Sequence, residues 1–589
     1  MLVRTSPIRA LQAMATLLAC LCVLAGPAAA RVDSGPVTVF IAKKIVTMDP
    51  GWPVGTAVAV RNGRILSVGS LDDLKPWLDK SPYTIDRTFA DKILLPGLIE
   101  AHGHPVIGGV ALTRPLLTYL PSPNPYGPPF PGVKTKEAAA AKLREYVGKA
   151  KSADETILAW GYDVLAMGGE HLTKADLDRI SATQPILVWD ASEHFVYANT
   201  AALRKYKITA ADTKTNGVIA GADGESNGQF LGVTAAQRIL SGPISELLTP
   251  ELTLKSTRFL MDLSRQNGVT TTSELAYGTV SLPLEEFVLN KYFNDPLSPM
   301  RCVVVSDGVT MVATKGDQAV AFVKSLAARS TDKLIFNGIK FFADDSFLSL
   351  GMVMQDPGYT DGRQGIFITP PDKMVETWRP WWEAGFQIHV HTNGNGGNRA
   401  TIDALDELMK LKPRADHRFT LQHYGMSTPE MARRLARLGG VASVNPYYLY
   451  TRSEFNARYV GNDRAYTAAR LKTLLDAGVP TALHTDTPVA PPFPLEEVWI
   501  AVNRFGLSGA VRGPEERITV DQALRMVTID AAFTLGVEDK VGSIAAGKFA
   551  DFAVLEQDPY AVPKEKIRDI KVWGTVLGGR IFPASEIHP

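Results

Sequence analysis

Residues 94–105 read LLPGLIEAHGHP, an apolar run that stops at two histidines with one glycine between them. In an extended strand alternate side chains share a face, so His102 and His104 project together with Cα atoms roughly 6.6 Å apart. That spacing suits one metal ion. A strand end whose histidines only hydrogen-bond shows the same pattern, so the rest of the chain has to decide.

Downstream, seven further apolar runs read as buried strands: 269–276 (VTTTSELA), 301–306 (RCVVVS), 336–344 (FNGIKFFAD), 386–391 (FQIHVH), 418–423 (RFTLQH), 440–446 (GVASVNP) and 480–486 (PTALHTD). Helical segments separate them. One is well marked, because Ser427-Thr428 can cap it, Pro429 suits its first turn and Gly439-Gly440 end it. Eight strands with intervening helices predict an α/β chain with a (β/α)8 TIM-type barrel over residues 94–540. Roughly 160 residues lie between the first two strands, far more than a barrel loop holds, which predicts an insertion over about 110–262 with its own helices.

Both ends of the chain have a different texture. Residues 37–69 alternate in short strands with a hairpin turn at Arg61-Asn62-Gly63, and 542–556 and 569–582 are again strand-like. A small β-sandwich built from 31–93 and 541–589 is expected. Ahead of it, Arg4 and Arg9 precede an apolar run from Ala10 to Leu24, and Pro27-Ala28-Ala29-Ala30 offers a cleavage site before Arg31. This is the pattern of a secretory signal peptide, residues 1–30, and predicts a periplasmic or secreted protein. A lipoprotein reading through Cys20 ranks second, since apolar sequence continues past it to Leu24. Cleavage after Ala30 leaves Cys302 as the one cysteine, so no internal disulfide is needed for export.

With 62 basic against 61 acidic residues and a net charge of +1, the chain has no field for gathering nucleic acid or an anionic membrane. A small-molecule substrate is expected, with no stable membrane insertion once the signal is removed. Homo-oligomerisation is left open.

Barrel enzymes place their chemistry at the C-terminal strand ends. His102 and His104 end the first strand, Lys340 lies late in the fourth, His391 ends the fifth, His423 the sixth and Asp486 the eighth. Six groups suited to a metal site thus share one rim, in a chain with ten histidines. Lys340 sits between Ile339 and Phe341-Phe342. Burial depresses a lysine's pKa, and a neutral amine can add carbon dioxide to give a carbamate able to bridge two metals. The alternative is an ion pair with Asp344 or Asp345.

The ordered set of His-x-His, lysine, histidine, histidine and aspartate resembles the amidohydrolase superfamily, and the surrounding text resembles its YtcJ-like branch (amidohydrolase family 3). The phrases that carry the likeness are LLPGLIEAHGHP, GIKFFADDS, GYTDGRQG, IHVHTNGNGGN, FTLQHYG, LHTDTPVAPPFPL and GSIAAGKFADFAVL. The resemblance implies a barrel with a β-sandwich, a zinc centre and hydrolysis of non-peptide amide-type carbon-nitrogen bonds. By position it implies that His102 and His104 hold one divalent ion, that carboxylated Lys340 bridges to a second held by His391 and His423, and that Asp486 is both ligand and acid/base. Two departures are visible, Asn395 where relatives usually have aspartate and Asp345 where glycine is common.

His389 and His484 stand two residues before His391 and Asp486. The first reads as a core histidine and the second as a support behind the ligands. The insertion contains WDASEHFVYANTAAL, in which the resemblance suggests that His194 contacts substrate, although packing within the insertion explains it equally well. Tyr447, Tyr448 and Tyr450 follow the seventh strand as a candidate aromatic wall, with Tyr447 the candidate substrate contact. Ester or cyclic-amide hydrolysis, ring deamination and a non-enzymatic binding protein are the competing readings.

Overall fold

The computed structural model describes residues 35–586, so the expected signal peptide lies outside the described residues. Eight strands form one parallel sheet: β1 (Leu98–Ile99), β2 (Val269–Tyr277), β3 (Arg301–Asp307), β4 (Leu334–Phe342), β5 (Ile388–Thr392), β6 (Thr420–His423), β7 (Val441–Val444) and β8 (Thr481–Leu483). They pair in the order β8-β7-β6-β5-β4-β3-β2-β1. Beyond the short end strands the ring is joined by a parallel bridge between Gly103 and Thr487. There the His104 amide donates to the Thr487 carbonyl at 3.1 Å, and the Asp486 amide to the His102 carbonyl at 3.0 Å. All eight runs read from the sequence are therefore strands of one TIM-type barrel.

The first strand is shorter than its apolar run suggests. Its ladder stops at Ile99 because the buried Glu100 carboxylate accepts from the His102 amide at 3.3 Å and the Thr485 amide at 3.0 Å. Side-chain bonds thus replace the backbone ladder, and both histidines ride on an irregular extension. Alternation in the other strands divides two cores. Val303 and Val305 join Ile99, Leu275 and Ala482 in one cluster, whereas Cys302 and Val304 face the helical layer. The helix Pro429–Arg437 is capped by Thr428, whose side chain accepts from the Met431 amide, and the chain leaves it through Gly439 at φ 72°.

The two termini build one β domain, but its strands form a single seven-stranded sheet, with Tyr83–Pro96 joining the N-terminal strands to Phe552–Leu555. The sheet curls around a core in which Phe40 meets Phe89 and Phe552 at centroid distances of 5.5 and 6.5 Å. A buried ion pair ties this domain to the barrel: Arg301 on β3 donates to Asp551 from Nε at 2.6 Å and from Nη2 at 3.0 Å.

The insertion has more than helices. It contains a five-stranded sheet in the order Ile157–Tyr162, Ile186–Asp190, Phe195–Ala198, Ser226–Leu231, Val218–Ala220. The chain re-enters the helical layer along Pro250–Gln266, which packs on Pro105–Leu112 in the main core. Arg452 pairs with Asp163 of the insertion, and the hairpin Ile186–Ala198 projects its turn over the barrel mouth. Among the described residues no helix is long and apolar enough to cross a membrane.

Candidate metal centre

The rim groups converge on a cavity of about 100 Å³. His102 and His104 meet edge to face at 5.3 Å, His102 and His423 lie 4.6 Å apart, and His391 and His423 lie 4.5 Å apart. Asp486 faces the first pair. Its Oδ1 is 3.5 Å from His102 Nε2 and 3.4 Å from His104 Nε2, and its Oδ2 is 3.7 Å from His423 Nδ1. Two sets of donor atoms each lie within 4.8 Å of one another, His102-His104-Asp486 and His102-His423-His484.

Each imidazole is held from behind. Gln422 on β6 accepts from His102 Nδ1 at 2.7 Å and donates to His389 Nδ1 at 2.9 Å. A proton on His102 Nδ1 leaves the Nε2 lone pair facing the cavity. Glu274 on β2 lies 3.3 Å from His104 Nδ1 and so turns Nε2 of that ring toward Asp486. Behind His423 a chain runs from its Nδ1 to His484 Nε2 at 3.1 Å and from His484 Nδ1 to Ser443 Oγ at 2.7 Å. His423 Nε2 is buried and has no hydrogen-bond partner among the described residues. His391 Nε2 is 3.0 Å from Asn393 Nδ2.

Burial drives His102 and His423 well below the ordinary imidazole range and His391 down to about 3. A neutral imidazole is the form that ligates metal. His104 differs: burial opposes its protonation, but its hydrogen bonds to Asp486 and Glu274 push it up to about 10. Lys340 is 1% exposed, and its Nζ lies 3.2 Å from His102 Nε2. Burial lowers it to about 7, against the pull of Asp486, Asp307 and Glu274.

The ion pair considered for Lys340 is excluded by geometry. Asp345 contacts His194, and Asp344 accepts from the backbone amides of Asn393 and Val353 at 2.8 Å and Gly394 at 2.9 Å. Inward imidazole nitrogens, one of them buried and unpartnered among the described residues, together with a carboxylate and a lysine that has no ion-pair partner among those residues, fit a divalent cation site. His389 lies one layer deeper, level with Lys340 in the β4/β5 register, and does not line the cavity. Asn395 accepts from the Gln355 amide at 2.8 Å.

Two expectations about the surroundings need correction. Tyr447 does not reach the cavity, because its hydroxyl donates to Glu496 at 2.7 Å, and Tyr450 packs on Trp499 at 5.4 Å. Tyr448 alone of the three lines the cavity, stacked on Phe347 at 4.1 Å. His194 does line it, on the turn of the insertion's hairpin and stacked on His391 at 6.3 Å. Sequence reasoning missed Glu193, Gln422 and Glu274, the last an ordinary strand residue of β2. Gln422 precedes a candidate ligand on its strand, and Glu193 precedes His194, but neither has a motif of its own.

A (β/α)8 barrel whose C-terminal rim gathers imidazoles, a lysine and a carboxylate defines the class of metal-dependent barrel hydrolases. The particular family follows from comparison. The chain belongs to the amidohydrolase family: residues 90–583 match the model Amidohydro_3, described as "Amidohydrolase family".

Among similar proteins, Protein LONG AFTER FAR-RED 3 of Arabidopsis thaliana is 26% identical over 557 residues, 92% of this chain and 90% of that protein. A Bacillus subtilis protein named "Putative amidohydrolase YtcJ" is 25% identical over 535 residues, 89% of this chain and 95% of its own. N-substituted formamide deformylase of Arthrobacter pascens is 33% identical over 196 residues, which is 33% of this chain and 36% of that enzyme. In fold, the chain resembles an uncharacterised metal-dependent hydrolase from Pyrococcus horikoshii, with TM-score 0.68, 17% identity and coverage of 90% of this chain and 99% of the other. A second such hydrolase, from Pyrococcus furiosus, gives 0.65, 20%, 89% and 99%.

Proposed function

We propose that the protein is an exported hydrolase of non-peptide amide-type carbon-nitrogen bonds, holding two divalent ions, zinc by choice of donors. The observation that carries this reading is the approach of Asp486 Oδ1 to His102 Nε2 at 3.5 Å and to His104 Nε2 at 3.4 Å, beside Lys340, which has no ion-pair partner among the described residues. The stretch shared with N-substituted formamide deformylase supports an amide as the target. His102, His104 and Asp486 would hold one ion, and His391 and His423 the other, with Lys340 as a carbamate between them. When bound, such ions supply a water of lowered pKa and polarise a carbonyl.

The chain's own residues do the rest. Gln422, Glu274 and His484 fix the rings, and Tyr448 and Phe342 restrict water around the cavity. Asp486 takes a proton from the attacking water and hands it to the leaving nitrogen. The water oxygen bonds to the acyl carbon as the carbon-nitrogen bond breaks, giving a carboxylic acid and an amine, and the acid's proton then passes to the amine to leave a carboxylate and an ammonium ion. A low pKa suits Lys340 to carbamate formation, because only the neutral amine adds carbon dioxide.

The test is a screen of metal-replete mature protein against N-acyl amines, N-formyl compounds, N-acyl amino acids, cyclic amides and esters. Turnover of amides that chelation abolishes and zinc restores is expected. Turnover confined to esters, or persisting without metal, would overturn the reading.

A further inference from the structure

The insertion opens on a stretch that carries no charged side chain. Residues 118–133 read TYLPSPNPYGPPFPGV, sixteen positions with six prolines and no Asp, Glu, Lys, Arg or His. Its middle, Tyr126 to Pro131, holds only Tyr, Gly, Pro and Phe and is exposed at every position, with Tyr126 45% and Phe130 37% exposed. Single exposed apolar residues need no explanation, but six in a row within an uncharged stretch do.

This loop is not a loose linker. Both ends are pinned beside the insertion's sheet: the Leu117 amide donates to the Trp160 carbonyl at 2.8 Å, and the Val133 amide returns to the Thr118 carbonyl at 2.8 Å. Between them Ser122 and Phe130 pair across an antiparallel bridge, exchanging amide-to-carbonyl bonds at 3.0 and 2.8 Å. Tyr119 packs on Phe455 at 5.6 Å, and the Tyr126 hydroxyl donates to Asp262 at 2.9 Å. At Gly132 the chain passes so close to its start that a Cβ would lie 2.5 Å from the Tyr119 carbonyl oxygen. With proline fixing φ at six positions, the loop has little conformational entropy left to lose on binding.

The backbone of the tip has no free donor. Pro128, Pro129 and Pro131 carry no amide hydrogen, and the other three amides are used inside the loop. Tyr126 donates to Asn124 Oδ1 at 3.1 Å, Gly127 to the Asn124 carbonyl at 3.4 Å and Phe130 to the Ser122 carbonyl at 2.8 Å. That accounting bears on what can cover the tip. Protein interfaces form about one hydrogen bond per 100–200 Å², and this tip offers a protein neither an amide nor a charge. The boundary of a bilayer demands the opposite, a segment whose donors are satisfied before it enters. Tyrosine, with an apolar ring and a polar end, settles at that boundary, and phenylalanine and proline add apolar surface.

We infer that residues 126–131 dock this protein on a lipid bilayer, as a shallow peripheral contact at the boundary of headgroups and acyl chains. The occupant is a neutral lipid surface, because the tip has no basic side chain with which to select an anionic one. The inference does not depend on the amide-hydrolysis reading.

The experiment is cosedimentation with sucrose-loaded phosphatidylcholine vesicles, on metal-loaded protein beginning at Arg31, so that the apolar run Ala10 to Leu24 cannot itself bind lipid. Phe130→Asp and Pro128→Asp each place a carboxylate on the tip. Melting temperatures control for folding, and if Phe130→Asp lowers its own, Pro128→Asp carries the test. Wild type should bind, with a partition coefficient that falls tenfold or more in the variants and changes less than twofold between about 0.1 and 0.5 M salt, where charge attraction would be screened. No sedimentation of wild type, equal partitioning of wild type and variants, or binding abolished by salt would overturn the inference. So would a dimer in lipid-free buffer that the variants dissociate, seen by light scattering, which would assign the tip to a second copy of the chain.

Discussion

Gln422 offers the sharpest test of how the site is held. It is fully buried on β6, between His102 Nδ1 at 2.7 Å and His389 Nδ1 at 2.9 Å. Gln422→Leu keeps the approximate volume but orphans two buried ring nitrogens at about 1–3 kcal/mol each, a loss of about 2–6 kcal/mol in the metal-free protein. Without the acceptor, His102 is also free to protonate Nε2, which removes the lone pair from the cavity, and metal affinity should fall about 10- to 100-fold. Gln422→Glu restores an acceptor for His102 and lets His389 donate from Nδ1 in its other tautomer, so metal affinity should return to within about threefold of wild type. Urea denaturation of chelated protein and competition against a chromophoric chelator measure the two quantities. If Gln422→Leu lost less than 0.5 kcal/mol and kept its metal affinity, the assignment of His102 Nε2 to the cavity would be wrong.

Other outcomes follow from the same geometry. Asp486→Asn should keep the backbone, since asparagine tolerates the φ of 57°, and retain metal better than His102→Ala, while turnover falls about 10²- to 10⁴-fold; steady-state kinetics with metal analysis decides. Lys340→Ala should lose one of two ions and most activity, with partial rescue by short carboxylic acids, and mass analysis of wild type under non-acidic conditions should find the added carboxyl group. Arg301→Ala strands the buried Asp551 carboxylate and should cost about 3–5 kcal/mol in urea denaturation, toward the lower end because the Gly578 amide still donates to Asp551 at 2.7 Å. N-terminal sequencing of the exported protein should read from Arg31 or close to it, and a lipid-modified Cys20 would refute that reading.

The barrel was legible because its strands are buried on both faces. Runs such as Arg301–Asp307 and Ile388–Thr392 are buried at every position, short and rich in β-branched residues or histidine, and are separated by helical segments, so element type and order survive without tertiary information. The insertion was less legible for a complementary reason. Its strands Ile157–Tyr162 and Ile186–Asp190 are short apolar runs that helix and strand share, and only their pairing with each other and with the hairpin settles the choice. The early stop of β1 was hidden as well, since it depends on Glu100 meeting Thr485, 385 positions later.

At the site, the rim residues announce themselves because histidine, lysine and aspartate at strand ends have few other uses, whereas the residues that position them do not. Gln422 and Glu274 are ordinary strand residues until the partner strand is known. Tyr447 and Tyr448 are adjacent and identical, so no reading of composition could show that one hydroxyl belongs to Glu496 and the other ring to the cavity. Backbone strain adds a further hidden layer. His423, Tyr424, Asp486 and Glu193 all have positive φ, at 73°, 46°, 57° and 64°, although none is glycine. Each such residue costs on the order of 1–3 kcal/mol and persists only where its surroundings over-determine it. Three of the four lie at the ends of β6 and β8 and the fourth at the hairpin tip above them. Seven other non-glycine residues with positive φ lie elsewhere among the described residues, but Glu193, His423 and Asp486 all line the cavity, so part of the cost of holding the site in shape is carried by the backbone of the groups that form it.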